Sequence, residues 1–272
     1  MSTGQGSEDR EKSGALSAII VMAIVVVAGA YSLAYGLQTL AWFETRRWAN
    51  IDPWLNDVPR PLPGAVASAA NAPQPSGKAA QPKAGRLQAY DYEFTVPWTG
   101  SSRATALQIG TEFRFDSGQV VVFFDPDTQV DTLRQMRSSP PAEYRKFQTI
   151  FGEQSTESNY ALYQAVYGAS PAQISPFIPG RDAQRMNVLL LWKLAFGFDL
   201  PPGIYSFDFG RNRGFQFGSP ANARPVAVRV FDDQDRQFRF IFTVAAGSTA
   251  QITQDDINTA VQSLQLVPIL ER

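Results

Sequence analysis

The most prominent feature of the hydropathy pattern is the uncharged run from Ser13 to Phe43, thirty-one residues without Asp, Glu, Lys or Arg. About 20 predominantly apolar residues let a helix cross a hydrocarbon core roughly 30 Å thick. The run therefore predicts a transmembrane helix over residues 15–43, preceded by a disordered cytoplasmic tail at residues 1–14. A removed signal peptide is the alternative. The run is longer than a signal-peptide core and no small-x-small cleavage site follows it, which favours an uncleaved anchor.

Two groups of residues within and after this run are candidates for membrane contacts. Ala28, Ser32 and Gly36 fall four residues apart and form a stripe of small side chains that favours close helix packing. Such residues are also common in membrane helices without a packing role. Trp42, Trp48 and Trp54 follow, and tryptophans are enriched at the membrane–water interface. Residues 44–58 could lie in the headgroup plane as an amphipathic segment or contact a partner subunit, and the sequence does not separate these alternatives.

Residues 59–85 differ in composition from the rest of the chain. They contain six Pro, eight Ala and three Gly and lack aromatic residues. Such a segment has too little apolar surface to offset the entropy of ordering. The composition predicts a flexible linker between the anchor and a globular domain at residues 86–272.

The charges that flank the anchor do not fix its direction. Arg10 and Lys12 precede the apolar run, and Arg46 and Arg47 follow it, so the positive charges are nearly balanced. A short tail before a first anchor most simply stays in the cytoplasm. We therefore expect an extracytoplasmic domain, facing the periplasm if the membrane is a bacterial inner membrane.

Alternation of apolar and polar residues predicts the strands of the domain. The predicted strands are Tyr90–Val96, Leu107–Phe115, Gln119–Phe124, Ile204–Phe209, Phe215–Phe217, Val226–Phe231 and Phe238–Val244. Turn residues between neighbouring strands favour hairpins. In the hairpin of the last two strands, the valines at 226, 228 and 230 and the phenylalanines at 238, 240 and 242 should face one core.

Helical spacing dominates the middle of the domain and returns near its end. Thr156 is a predicted cap for a helix that ends at Gly168, and residues 182–196 predict a buried central helix. Thr253 and Asp256 form a predicted capping box. Hairpins on either side of a helical region indicate an α+β domain with a mostly antiparallel sheet covered by helices.

The composition excludes several chemistries. The chain has no Cys and no His, which rules out disulfides, thiolate nucleophiles, Ser-His-Asp triads and histidine-ligated metals. A net charge of −1 does not favour nucleic-acid binding. No catalytic residue, metal site or cofactor is predicted, although carboxylate or lysine chemistry remains open. The acidic clusters at residues 125–127 and 232–235 are best explained as caps and turns.

Two polar features of the domain are candidate sites. Arg211, Asn212 and Arg213 lie in a Gly-flanked turn that could bind a phosphate or carboxylate, or could be a solvated hairpin tip. Lys193 lies on the apolar central helix, where we expect its side chain to reach the surface. A desolvated nucleophilic lysine is the alternative at this position.

These observations predict a single-pass membrane protein with an extracytoplasmic domain that binds or scaffolds, as an accessory subunit of a membrane assembly would. Its expected partners are the lipid bilayer and either a protein partner or a second copy of the chain. A membrane-tethered enzyme and an anion or glycan sensor are the alternative hypotheses.

Overall fold

The computed structural model describes residues 42–47, 52–63, 85–175, 180–197, 199–222 and 225–267, together with residues 25, 40 and 50. No helix within these ranges is both long and apolar enough to cross a bilayer. The predicted tail at residues 1–14, most of the predicted anchor and most of the predicted linker lie outside the described residues. The candidates Ala28, Ser32, Gly36 and Trp48 lie outside them as well.

A large sheet of eight strands forms the centre of the domain. Its strands are β1 (Arg60–Pro61), β4 (Ser102–Leu107), β5 (Gly110–Phe115), β6 (Gln119–Phe124), β7 (Ile204–Asp208), β8 (Arg213–Phe217), β9 (Val226–Phe231) and β10 (Gln237–Val244). The order across the sheet is β1-β7-β8-β9-β10-β6-β5-β4. Neighbours are antiparallel except β1 and β7, which are parallel.

A second sheet and several helices of the described residues cover the large sheet. The second sheet, in the order β11-β3-β2, contains β2 (Gly85–Ala89), β3 (Tyr92–Val96) and β11 (Gln265–Leu266). The helices are α1 (Thr132–Arg137), α2 (Pro141–Phe151), α3 (Asn159–Gly168), α4 (Gly180–Gly197) and α5 (Gln254–Ser263). The α+β class and the mostly antiparallel sheet are therefore confirmed.

One face of the large sheet packs against the second sheet and α5. The β9–β10 hairpin has the predicted register, which pairs Val230 with Phe238, Val228 with Phe240 and Val226 with Phe242. All six side chains are buried in the core on this face. Their period of two is the reason, since alternate residues of a strand point to one face.

Helices α1 to α4 cover the opposite face. The core there contains Phe215 and Phe217 from β8, Ala227 and Phe231 from β9, and side chains from α3 and α4. Helix α4 forms where a helix was predicted, but it is buried on one side only, since Leu189 and Leu190 are buried whereas Leu191 is 49% exposed. Its neighbour α3 begins later than predicted. Ser158 caps it by accepting a hydrogen bond from Ala161 N, whereas Thr156 ends a 3-10 turn.

Strand β4 was not predicted from the sequence. All six of its residues, Ser102–Leu107, are exposed, so the strand has no buried face. Alternation reveals a strand only where one side is apolar. As an edge strand, β4 is held by its backbone pairing with β5.

Residues 52–62 belong to the folded domain, although the sequence placed them in an amphipathic segment and a linker. Asp52 caps a 3-10 turn at Pro53–Asn56, and Leu55 within it is 0% exposed. Strand β1 then pairs with β7, and Leu62 is buried in the core. Nonlocal packing, which composition does not reveal, holds this segment.

Candidate functional site

A groove of about 710 Å³ lies where the central strands meet the N-terminus of α5. We call it the strand-end groove. It is lined by Leu62, Pro63, Tyr205, Gln216, Ser219, Pro220, Ala221, Val226, Phe242, Thr243, Val244, Ala250, Gln251, Ile252, Thr253, Gln254 and Asp255. Its volume is within the range of roughly 300–1,000 Å³ that is usual for ligand sites.

The strands of the large sheet position the walls of the groove. Gln216 lies between Phe215 and Phe217, which face the helices, so its side chain points to the opposite face, where the groove lies. The chain turns beside it at Gly218, whose φ of +81° favours glycine and whose N–H donates to the carbonyl of Gly203.

A pair of glutamines provides a polar contact at the groove. Gln216 Nε2 donates to Gln254 Oε1 at 2.8 Å, and Gln254 Nε2 donates to Gln216 Oε1 at 2.7 Å. Second bonds, to the carbonyl of Gly218 and to Asn258 Oδ1, use the remaining amide protons. The pair thus joins β8 to α5 and fixes the shape of the groove.

The start of α5 determines the charge of the groove. Thr253 and Asp256 form the predicted capping box, in which each side chain accepts a hydrogen bond from the backbone N–H of the other. Asp255 is the only charged residue among the groove-lining residues described, and no cation lines the groove. An uncharged or basic ligand therefore fits better than an anion.

A second cleft, of about 840 Å³, lies beside residues 52–60 and the C-terminal end of α4. Two of its three carboxylates, those of Asp52 and Asp57, are engaged with the protein, and the third belongs to Asp199. Asp52 accepts from Trp54 N at 3.0 Å, and Asp57 accepts from Gly203 N at 2.7 Å and from Arg60. Within the described ranges, no group of three or more Asp or Glu residues is arranged to hold a metal ion.

Lys193 lies beneath this cleft and contradicts the expectation that its side chain reaches the surface, because the residue is 0% exposed. Its ammonium donates to the carbonyl oxygens of Leu55 at 3.2 Å, Ala169 at 2.7 Å and Asp57. Burial lowers the pKa of Lys193 from 10.5 to about 8, while the nearby charge of Asp57 opposes this shift. All three ammonium protons have acceptors, which is the arrangement of a structural lysine.

The side chains of the predicted anion site have different environments. Asn212 is buried, and its amide donates to the carbonyls of Val261 and Leu264, which ties the β7–β8 turn to the end of α5. The guanidinium of Arg213 lies 4.4 Å from the ring centroid of Tyr160, and Arg211 is exposed. Anion binding by Arg211 and Arg213 stays a prediction, whereas the Asn212 amide is already engaged.

Two of the three candidate membrane-interface tryptophans are among the described residues. Trp54 packs in the domain, where its Nε1 donates to Lys193 O at 3.1 Å and its ring lies 5.8 Å from that of Phe217. Trp42 is partly buried against the helix-side core, with Arg46 4.7 Å from its ring centroid. An interfacial role for either residue stays a prediction.

Comparison with known proteins identified no relative of the chain. No family model, no curated protein sequence and no solved structure matches it at a significant level.

Proposed function

We propose that this chain is a single-pass membrane protein whose domain binds an extended segment of a partner protein in the strand-end groove. The observation that supports binding is the groove itself, a preformed and largely apolar concavity whose shape is fixed by the paired glutamine amides. The uncharged run from Ser13 to Phe43 supports the anchor.

The position of the groove supports a partner in the same membrane. Leu62 and Pro63 line it and follow the predicted anchor by about 20 residues, so the groove is near the membrane-proximal end of the domain's chain. The extracytoplasmic juxtamembrane segment of a neighbouring membrane protein would reach this position. Because Asp255 is the only charged lining residue described, the segment should be uncharged or basic.

Site-specific photo-crosslinking in intact membranes tests this proposal. A photoreactive phenylalanine analogue at Ala221, in the groove, should give a discrete adduct with one protein. The same analogue at Ala104, on exposed β4, is the matched control and should not. Filling the groove with Ala250→Trp should abolish the adduct, whereas Ala104→Trp should leave it intact. Absence of an adduct, or the same adducts from both positions, would refute binding in the groove.

The proposed orientation has its own test. Trypsin added to spheroplasts should cut the predicted linker after Lys78 or Lys83 and produce a shortened C-terminal fragment on a denaturing gel. The cut does not by itself release the domain, because residues 52–62 remain packed in it. Protection of the domain in intact spheroplasts, with cleavage only after lysis, would place it in the cytoplasm.

Among the described residues, no contact specifically favours either alternative function. A tethered enzyme needs convergent carboxylates or a free lysine, whereas Asp57 and Lys193 are engaged with the backbone around them. An anion sensor at the β7–β8 turn would have to work through Arg211 and Arg213 without the Asn212 amide. Binding of a partner segment is therefore the function that the geometry supports best.

A further inference from the structure

Two arginines face each other across the middle of the large sheet. Arg229 on β9 is the direct antiparallel partner of Arg239 on β10. Directly opposite residues project from the same face with Cβ atoms about 4.5–5.5 Å apart, and like charges placed in this way destabilise a sheet. The face in question is covered by helices, so water screens the two charges poorly.

Both guanidinium groups lie against aromatic rings. Arg229 is 8% exposed, and its Cζ lies 4.3 Å from the ring centroid of Tyr163 and 5.8 Å from that of Phe196. Cζ of Arg239 lies 4.8 Å from the ring centroid of Phe124. Burial, followed by the charge of Arg229, lowers the pKa of Arg239. The rings stabilise the cations but offer no acceptor in the plane of the N–H groups.

Two buried donors at this place have no partner in the part of the chain that the structure describes. Nη1 of Arg229 is buried without a hydrogen bond, and so is the hydroxyl of Tyr167, whose ring centroid lies 6.0 Å from Cζ of Arg229. The ion pairs found among the described residues involve other arginines. A buried donor that lacks a partner destabilises the folded state, and more so when it is charged.

An exposed arginine pair in the same sheet shows how the repulsion between two such charges is usually reduced. Arg103 and Arg114 are direct partners across β4 and β5. There, Glu112 forms an ion pair with Arg114 at 3.0 Å, and both arginines are exposed. Arg229 and Arg239 have the same geometry, but Arg229 is buried, Arg239 is partly exposed, and neither forms an ion pair among the described residues.

We propose that Arg229, Arg239 and Tyr167 form a binding site for a single oxyanion, the carboxylate or phosphate group of a small ligand. An oxyanion between the guanidinium groups would separate the two positive charges and accept hydrogen bonds from Nη1 of Arg229 and from the Tyr167 hydroxyl. The site lies on the helix-covered face, so it is separate from the strand-end groove and does not depend on the function proposed for that groove.

Two groups of the chain itself are competitors for this role. Gln237, two residues before Arg239 on the same strand face, has a buried Oε1 without a hydrogen bond. Asp199 at the end of α4 interacts electrostatically with Arg239. If either group satisfied Arg229 in solution, added oxyanions would have no saturable effect.

Thermal unfolding of the full chain in detergent tests the proposal, with inorganic phosphate, acetate and chloride compared at constant ionic strength. We expect phosphate or acetate to raise Tm saturably, by roughly 5 °C at 100 times the dissociation constant, and chloride to have no such effect. The shift should persist in Arg103→Met, the matched exposed control, and disappear in Arg229→Met. A shift with phosphate alone assigns a phosphate ligand, and one with acetate alone assigns a carboxylate.

Tyr167→Phe provides a second variant in case Arg229→Met does not fold. The Tyr167 hydroxyl has no partner among the described residues, so its removal breaks no hydrogen bond within them. It should weaken the apparent oxyanion affinity about tenfold, since hydrogen bonds to charged groups contribute about 1.5–3 kcal/mol. No saturable shift with either oxyanion in the wild type, or equal shifts and affinities in the wild type and Tyr167→Phe, would overturn the proposal.

Discussion

Lys193 and Arg229 are two buried cations on the helix-covered side of the large sheet, and their surroundings differ. The ammonium of Lys193 donates to three backbone carbonyls, including those of Leu55 and Ala169. The guanidinium of Arg229 is stacked on aromatic rings, and its Nη1 has no acceptor. Both groups lose hydration on folding, but only Lys193 recovers its hydrogen bonds within the described chain.

The difference distinguishes a cation with a structural role, Lys193, from a cation that can bind a ligand, Arg229. Lys193 joins three parts of the chain that are distant in sequence, since Leu55, Ala169 and Lys193 itself lie on different elements. Breaking such an arrangement leaves buried carbonyls without donors. Arg229 makes no comparable bridge, so it is available to an external acceptor. The predictions below test this contrast, from the largest expected effect to the smallest.

Lys193→Met should cause the largest loss of stability. Methionine fills much of the same volume but donates no hydrogen bond, so the carbonyls of Leu55 and Ala169 become unsatisfied. At about 1–3 kcal/mol for each lost partner, we expect the free energy of unfolding to fall by about 4 kcal/mol in urea titrations at pH 7. Lys146→Met, at an exposed lysine of α2, is the matched control and should change it by less than about 0.5 kcal/mol. Equal effects of both substitutions would remove Lys193 from its structural role.

The pH dependence of stability should show that Lys193 is desolvated. Burial lowers its pKa to about 8 from the ordinary 10.5. Between these values the unfolded chain holds a proton that the folded chain has released, so the contribution of Lys193 to the free energy of unfolding increases with pH. The increase should approach about 3 kcal/mol between pH 7 and pH 10.5, with little change below pH 7.

This contribution is the difference between wild type and Lys193→Met in parallel titrations, which cancels the ionisation of tyrosines and other lysines. A difference that stayed constant from pH 7 to pH 10.5 would mean that the three carbonyls keep the lysine charged. The three hydrogen bonds would then offset the whole cost of desolvating the ammonium. Lys193 would differ even more clearly from Arg229, whose Nη1 has no acceptor among the described residues.

Gly197→Ala tests the packing around the Lys193 arrangement. A Cβ at residue 197 would lie 1.8 Å from Nε1 of Trp54, which donates to the carbonyl of Lys193. Trp54 would have to move, at an expected cost of about 2 kcal/mol, measured by urea unfolding. Gly168→Ala, where an added Cβ meets no atom within 4 Å, is the control and should be neutral or slightly stabilising.

A double substitution shows whether the clash with Trp54 is the cause. In the background of Trp54→Ala, Gly197→Ala should lose most of its effect, because the indole is no longer there to displace. Additive losses would point to a backbone effect at the end of α4 instead.

The sequence predicts the local parts of this comparison and misses the nonlocal ones. The alternation that places Val228 with Phe240 also places Arg229 and Arg239 together on the opposite face. Arg229 is the only charged residue in the strand VAVRVF, which was a usable signal for a buried charge. Its lack of an acceptor was not predictable, because helices distant in the sequence cover it.

Lys193 also shows that nonlocal contacts could not be predicted from the sequence. A lysine on an apolar helix is usually expected to extend to the surface, which is wrong here. Its acceptor at Leu55 is 138 residues away, in a stretch whose tryptophans suggested a membrane interface and whose prolines suggested a linker. The strand-end groove was missed for a related reason, since β1, β8 and α5 meet there only after folding.

Arg229→Met should have the smallest effect on stability when no oxyanion is present. The substitution removes an unpaired buried charge and its repulsion by Arg239, and it loses ring contacts that contribute about 2 kcal/mol when desolvated. These terms oppose each other, so we expect the free energy of unfolding to change by less than about 1 kcal/mol in anion-free buffer. Arg103→Met should change it by less than about 0.5 kcal/mol. A loss as large as that of Lys193→Met would show that Arg229 has internal acceptors in solution, and both cations would then be structural.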